Sequence, residues 1–170
     1  MTRVLAALAL MLVACGGAPA RPAGVGHDTT SRGAPVELTV RGPEGEWLDV
    51  GDLRGKPTVL FLFTTFDGNC QAAVIPLSRI ARAHPDVHVV GIAIQPDARE
   101  LVAAYRDALA LTFTVTFDPD GTILGGGSDL GHVESVPTFV VLDGEGRVAG
   151  RYVGVASERR LDTMITEARQ

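Results

Sequence analysis

One stretch, residues 59–77, constrains the fold of this chain more than any other. It reads VLFLFTTFDGNCQAAVIPL: five consecutive apolar residues, a short polar break, and then apolar residues at intervals of three and four. An apolar run without alternation is typical of a strand covered on both faces, and the later spacing predicts a helix with one apolar face. Cys70 stands at the corner between them. We therefore expect a thiol near a helix N-terminus, where the backbone donors favour the thiolate.

Further strands and helices alternate along the chain. An Asp143-Gly144 pair predicts the turn of a hairpin, a helix is predicted over residues 96–109, and Ser157 is the expected N-cap of a closing helix. Trp47, the only tryptophan, is expected to fill the edge of the core. The alternation predicts the α/β class with a central mixed sheet flanked by helices. The other predicted strands are short apolar runs, and they cover residues 36–40, 47–50, 87–94, 113–117, 139–142 and 147–153.

The N-terminal segment differs in composition from the rest. Residues 1–14 carry one charge, at Arg3, and an apolar run too short for a permanent membrane span, which predicts an export signal. Its end, LVAC at Cys15, resembles the cleavage box of bacterial lipoproteins, which implies a lipid on Cys15 that anchors the chain. An ordinary signal peptide with a chance cysteine is the alternative. Residues 15–34 are predicted to be a flexible tether, and residues 35–170 the folded domain.

Cysteine content and charge narrow the function further. Lipidation would use one of the two cysteines, so Cys70 would remain alone and could form no internal disulfide. Losing Arg3 with the signal would leave 14 basic against 20 acidic residues, a net charge of about −6, which argues against a nucleic-acid partner.

Cys70 and His132 are too few ligands for a copper site, so we expect no metal and no cofactor. The residue after Cys15 is Gly16 and not the aspartate that resembles the inner-membrane retention signal of enterobacterial lipoproteins, so the resemblance to lipoproteins favours the outer membrane.

These features resemble the TlpA/ResA-like branch of the thioredoxin superfamily over residues 35–170. The resemblance rests on Gly55–Pro57 (GKP), the apolar strand, Phe66 before the cysteine corner, and residues 136–148 (VPTFVVLDGEGRV). It implies a thioredoxin-like fold with an extra helix and strand inserted between Cys70 and Pro137, and a cis peptide bond before that proline. In this family the corner reads WCxxC, where the first cysteine attacks a substrate disulfide and the second resolves the mixed disulfide.

The resemblance also implies that the corner of this chain is degenerate. Aligning Cys70 with the second cysteine places Phe66 at the tryptophan and Asp67 at the attacking position, with Gly68 and Asn69 between. Asp67 is a poor nucleophile for disulfides, and we expect it to cap the helix. Its negative charge opposes the helix dipole, so the pKa of Cys70 is expected near its reference value.

Two functional hypotheses remain open. In the first, a groove at the corner binds an extended peptide or a partner protein of the cell envelope without turnover. In the second, Cys70 exchanges with a substrate disulfide, or reduces a peroxide, while an external thiol resolves the product. The residues assigned to the groove are Phe66, Cys70, Val136, Pro137 and Thr138.

Overall fold

The structure is a computed structural model that describes residues 33–170, so the predicted signal, Cys15 and most of the predicted tether lie outside the described residues. None of the helices in this part of the chain is long and apolar enough to cross a membrane. In chain order the elements are β1 (Thr39–Arg41), β2 (Trp47–Asp49), a 3₁₀ turn (Val50–Leu53), β3 (Thr58–Phe63), α1 (Gly68–Ala83), β4 (His88–Ala93), α2 (Ala98–Ala108), β5 (Thr114–Phe117), β6 (Thr138–Leu142), β7 (Val148–Val153) and α3 (Glu158–Ala168).

The described strands form one mixed sheet in the order β2-β1-β5-β4-β3-β6-β7. Strands β3, β4 and β5 are parallel, whereas β6 runs antiparallel to β3 and β7 antiparallel to β6. The α/β class with a central mixed sheet and an extra helix and strand is confirmed, since α2 and β5 lie between β4 and β6.

Strand direction brings four loops to one edge of the sheet. The parallel strands β3, β4 and β5 all end at this edge, and β6 begins there because Thr138 pairs with Leu62. The corner after β3, the segments after β4 and β5, and the Val136-Pro137 bond before β6 are therefore neighbours. Sites in open α/β sheets commonly lie outside the carboxyl ends of parallel strands.

The central strand β3 is buried along its whole length, as its unbroken apolar sequence predicts. Its odd-numbered residues face a core shared with α1, α2 and α3. Its even-numbered residues face a second core, which is covered by the segment around β1 and by the loop between β5 and β6. Stacked rings of Phe61 with Phe63 and with Phe139, at centroid distances of 5.0 and 5.1 Å, hold the first core together.

Helix α1 begins and packs as its sequence predicts. The Asp67 carboxylate accepts a hydrogen bond of 2.8 Å from the backbone N–H of Cys70, so the expected N-cap is confirmed. Val74, Leu77 and Ile80 form the buried face. Ser157 caps α3 in the same way, and the hairpin across Asp143-Gly144 joins β6 to β7.

Candidate active site and sheet-edge groove

Cys70 is the third residue of α1, and its side chain has no exposed surface. Burial raises the pKa of the Cys70 thiol to about 12; contacts with Thr64 oppose the rise, and the Asp67 carboxylate adds to it. The expected pKa near the reference value is therefore wrong. Burial has a larger effect on this pKa than the opposing influences of the helix dipole and the Asp67 charge.

The surroundings of the thiol offer it no positive charge. Tyr105, from α2, stacks on Phe63 with a centroid distance of 5.1 Å, and its hydroxyl lies near Cys70. Burial raises the pKa of Tyr105 to about 12, and the neighbouring Cys70 and Asp67 add to the rise. Within residues 33–170, the buried hydroxyl of Tyr105 has no hydrogen-bond partner. Thiolates are stabilised by cations or by several donors, and this pocket instead favours the neutral thiol.

An open groove lies beside the corner, at the edge where β3 and β4 end. Its volume is about 260 Å³, and most of its surface is apolar. The Phe66 side chain is 73% exposed on one wall, and Leu124, 48% exposed, lies on another. Exposed aromatic and aliphatic side chains around a concave surface are typical of binding sites. The other residues that line the groove are Thr64, Ile94, Gln95, Pro96, Val133, Glu134, Ser135 and Val136.

Buried polar side chains hold the walls in place. The Gln95 amide, just after β4, accepts a hydrogen bond of 3.2 Å from the backbone N–H of Thr65 and donates one of 2.6 Å to the Thr65 hydroxyl. These bonds fix the segment that presents Phe66. On the opposite wall, the buried Asp118 carboxylate accepts a 2.7 Å hydrogen bond from the backbone N–H of Ile123, the residue before Leu124. Both walls are thus anchored to the ends of strands.

The structure brings together only part of the predicted groove. The Val136-Pro137 bond is cis, as expected, and Val136 lines the groove with Phe66. Three residues assigned to the groove do not line it, which corrects that part of the assignment. These buried residues are Cys70, Pro137 and Thr138. Thr138 opens β6 and its hydroxyl donates to the Ser135 carbonyl at 2.6 Å. Thr64 connects the groove with the buried thiol, because it lines the groove and also contacts Cys70, whose pKa it lowers.

The remaining residues of the corner surround the start of α1. Asp67 is partly exposed and occupied in capping, while Gly68 and Asn69 are exposed on the first turn of the helix. A poor nucleophile on the surface and a neutral thiol below it do not form a reactive pair. In the part of the chain that the structure describes, no group of three or more His, Cys, Asp or Glu residues could hold a metal ion.

Sequence reasoning missed Gln95 and Leu124 and misplaced Trp47. A polar residue directly after a buried strand was an available signal for Gln95, whereas nothing in the sequence singles out Leu124. Trp47 is exposed instead of filling the core edge, because it lies on the short outer strand β2, where the Arg41 guanidinium covers its ring at 5.0 Å from the centroid.

Residues 32–152 match the family described as AhpC/TSA. Among curated proteins, the soluble secreted antigen MPT53 of Mycobacterium bovis and of Mycobacterium tuberculosis is 35% identical over 91 residues. The match covers 52% of this chain and 50% of the antigen, so the chain spans about half the length of these relatives.

Solved structures of thiol-disulfide proteins share the fold. A secreted Mycobacterium tuberculosis disulfide oxidoreductase, described as homologous to Escherichia coli DsbE, is 27% identical, with a TM-score of 0.63 over 76% of this chain and 95% of its own. The exposed lipoprotein thioredoxin Etrx1 of Streptococcus pneumoniae is 20% identical, with a TM-score of 0.64 over 77% and 98%. A Chlorobium tepidum thiol:disulfide interchange protein is also 20% identical, with a TM-score of 0.68 over 81% and 97%. These neighbours have the thioredoxin fold, in agreement with the resemblance to the TlpA/ResA-like branch, and the chain belongs to the AhpC/TSA family.

Proposed function

We propose that this protein binds an extended segment of a partner protein in the bacterial cell envelope, and that its ancestral dithiol chemistry has been lost. One observation carries the proposal: the Cys70 side chain has no exposed surface, while the neighbouring groove is open and has Phe66 on its wall. A disulfide cannot reach the sulfur without local opening of the corner. A polypeptide can reach the groove in the structure as it stands.

The proposed location rests on the sequence and on the relatives. Residues 1–15 resemble a lipoprotein signal that ends at the lipid-bearing Cys15. The antigen MPT53 is described as secreted, and the pneumococcal thioredoxin as an exposed lipoprotein. A lipid on Cys15 would hold the domain on the membrane, with residues 15–34 as the tether. The outer membrane is the proposed site of attachment.

A second candidate function uses Cys70 as a lone redox thiol. Family membership and the position of Cys70 in the first turn of α1 favour it. The Cys70 thiolate would attack a substrate disulfide, forming a mixed disulfide and releasing one substrate thiolate. An external thiol would then attack the Cys70 sulfur of the mixed disulfide, releasing the second substrate thiolate and forming a disulfide with Cys70. A second external thiol would attack the first one's sulfur, which releases the Cys70 thiolate and leaves the two external thiols joined as a disulfide. The raised pKa of Cys70 argues against a useful rate at neutral pH.

Binding of a polypeptide that contains no reactive sulfur separates the two functions. Carboxymethylated, permanently unfolded α-lactalbumin is a suitable probe because all of its cysteines are blocked. We expect it to bind the wild type and Cys70→Ala equally, and to bind Phe66→Ser/Leu124→Ser several-fold more weakly because both apolar walls are lost. Titration followed by fluorescence anisotropy measures the three affinities.

Ile75→Ser is the matched control, because Ile75 is 59% exposed on α1 but does not line the groove. Its affinity should equal that of the wild type. Equal binding by the groove double variant would overturn the proposed binding site. Thiol-dependent insulin reduction by the wild type, absent from Cys70→Ala, would establish the second function in its place.

A further inference from the structure

We propose that the groove selects extended segments in which a lysine or arginine stands two residues from an apolar side chain, since every second side chain of an extended chain lies on the same face. This inference rests on the proposed function and adds to it a class of ligand. The apolar side chain would lie between Phe66 and Leu124, and the cation would lie beside the carboxylates of Glu134 and Asp120.

The groove does not end at Leu124. A second cavity of about 250 Å³ adjoins it along the ends of β4 and β5, and the two share four lining residues. The shared residues are Ile94, Gln95, Pro96 and Leu124. The second cavity is more polar than the first, and Asp118, Asp120 and Gly121 line its far side. An extended chain that enters at Phe66 would pass over both cavities, since successive residues of such a chain advance by about 3.3 Å.

The charges along this path have one sign. Glu134 lines the first cavity and Asp120 the second, and of the residues that the structure describes, no Lys, Arg or His lines either one. Asp118 is buried, and its carboxylate already accepts hydrogen bonds from Ile123, Thr122 and Asp120. It therefore stabilises the wall of the cavity and is not assigned to the ligand. The carboxylates of Asp120 and Glu134 are exposed and have no hydrogen-bond or ion-pair partner within residues 33–170.

Among the described residues along this path, arginines first appear in a third cavity, which Asp120 also lines. This cavity of about 300 Å³ adjoins the second through Pro96 and residues 118–120, and it is lined by Arg41 and Arg99 beside Trp47. The Arg41 side chain is occupied, since it covers the Trp47 ring and donates a 3.0 Å hydrogen bond to the Gly45 carbonyl. Because Arg99 also lines this third cavity, we assign the preference for a cation to the first two cavities, next to the apolar walls.

Three labelled peptides test the inference. Their sequences are Ser-Leu-Gly-Lys-Gly-Ser, Ser-Leu-Gly-Gln-Gly-Ser and Ser-Leu-Gly-Glu-Gly-Ser, each with an N-terminal fluorescein, so that the apolar and the variable side chain lie on one face of an extended peptide. Ion pairing of one ligand cation with the two exposed carboxylates corresponds to about fivefold in affinity. We therefore expect anisotropy titrations at low ionic strength to give the lysine peptide about fivefold tighter binding than the glutamine peptide, and the glutamate peptide weaker binding than either. The preference should shrink as salt is added.

Charge-neutral variants locate the effect. Asp120→Asn/Glu134→Gln should bind the lysine and glutamine peptides equally, while leaving the affinity for the glutamine peptide unchanged. Asp52→Asn/Asp86→Asn is the matched control, because it removes the same charge from exposed positions outside the cavities and breaks only the surface ion pair of Asp86 with Arg169. It should keep the preference.

The outcomes separate the inference from the function beneath it. Equal affinity of the wild type for the lysine and glutamine peptides would overturn the charge preference and leave the groove as a binding site for apolar segments. Retention of the preference in Asp120→Asn/Glu134→Gln would overturn the assigned carboxylates. Failure of all three peptides and of carboxymethylated α-lactalbumin to bind would contradict the proposed function itself.

Discussion

Cys70 sits where two influences on a thiol oppose each other. Its place in the first turn of α1 favours the thiolate through the helix dipole and the exposed backbone donors. Burial beneath Thr64 and Tyr105 favours the neutral thiol, and the pKa of about 12 shows that burial prevails. Cys70 aligns with the resolving cysteine of the family motif, and a thiol that stays neutral at this position favours the proposed loss of dithiol chemistry.

The raised pKa of Cys70 predicts how the free energy of unfolding depends on pH. A thiol that binds its proton more tightly in the folded state contributes its full stability below the unfolded pKa of about 8.5, and loses it as the pH rises towards the folded value. We expect the free energy of unfolding to fall above about pH 8.5, with a slope of at most about 1.4 kcal/mol per pH unit from this thiol. Urea denaturation at successive pH values measures the slope.

Two variants assign this slope. In Cys70→Ala the fall between about pH 8.5 and 10 should disappear, since that interval lies below the ordinary pKa of tyrosine. In Tyr105→Phe this fall should persist, and the further fall above pH 10 should be smaller, because the pKa of Tyr105 is raised in the same direction. An unchanged slope in Cys70→Ala would show that the thiol is not buried as described.

The roles of single residues in the site could be predicted from the sequence only in part. The capping role of Asp67 was predictable because a helix cap depends on its own few residues. The burial of Cys70 was not, since it depends on Tyr105, which reaches the thiol from a different helix. A cysteine pKa weighed from neighbouring charges alone therefore came out too low.

The groove is a property of the ends of the secondary-structure elements. Strands β3, β4 and β5 end at one edge, and polar residues that follow β4 and β5 anchor two of the neighbouring loops. Gln95 does this for the segment before α1, and Asp118 for the loop that carries Leu124. Because these bonds are partly or fully buried, the walls are held in place before any ligand arrives.

Replacement of Gln95 tests this anchoring. Gln95→Met keeps the approximate shape of the side chain but leaves the Thr65 backbone N–H and hydroxyl without their partner. We expect a loss of about 1–3 kcal/mol in the free energy of unfolding, faster amide exchange at Thr65 and Phe66, and weaker binding of carboxymethylated α-lactalbumin. Urea denaturation and hydrogen exchange measure the first two effects.

Gln71→Met is the control for this variant, since the exposed Gln71 amide also contacts Thr65 but through a longer bond of 3.4 Å to its carbonyl. It should differ little from the wild type. If Gln95→Met behaves like Gln71→Met in stability, exchange and binding, the wall is fixed by some other contact.

At the scale of the whole molecule, the periodicity of the apolar residues was enough to predict the class and the order of the elements. Buried strands such as β3 read as unbroken apolar runs, and α1 as a three-to-four spacing, because each pattern reflects the faces that must be covered. The groove could not be predicted in the same way. Leu124 lies in a loop without periodicity, and its place beside Phe66 follows from the sheet order.

The whole fold thus separates a buried sulfur from an accessible groove, which is the central claim about this protein. The rate of Cys70 alkylation by iodoacetamide, measured on the folded protein against pH and compared with the rate in urea, tests it most directly. We predict slow labelling of the folded protein even at about pH 8.5 and rapid labelling in urea, because the thiolate forms readily only once the thiol is exposed. Rapid labelling of the folded protein with an apparent pKa below about 7 would contradict the claim.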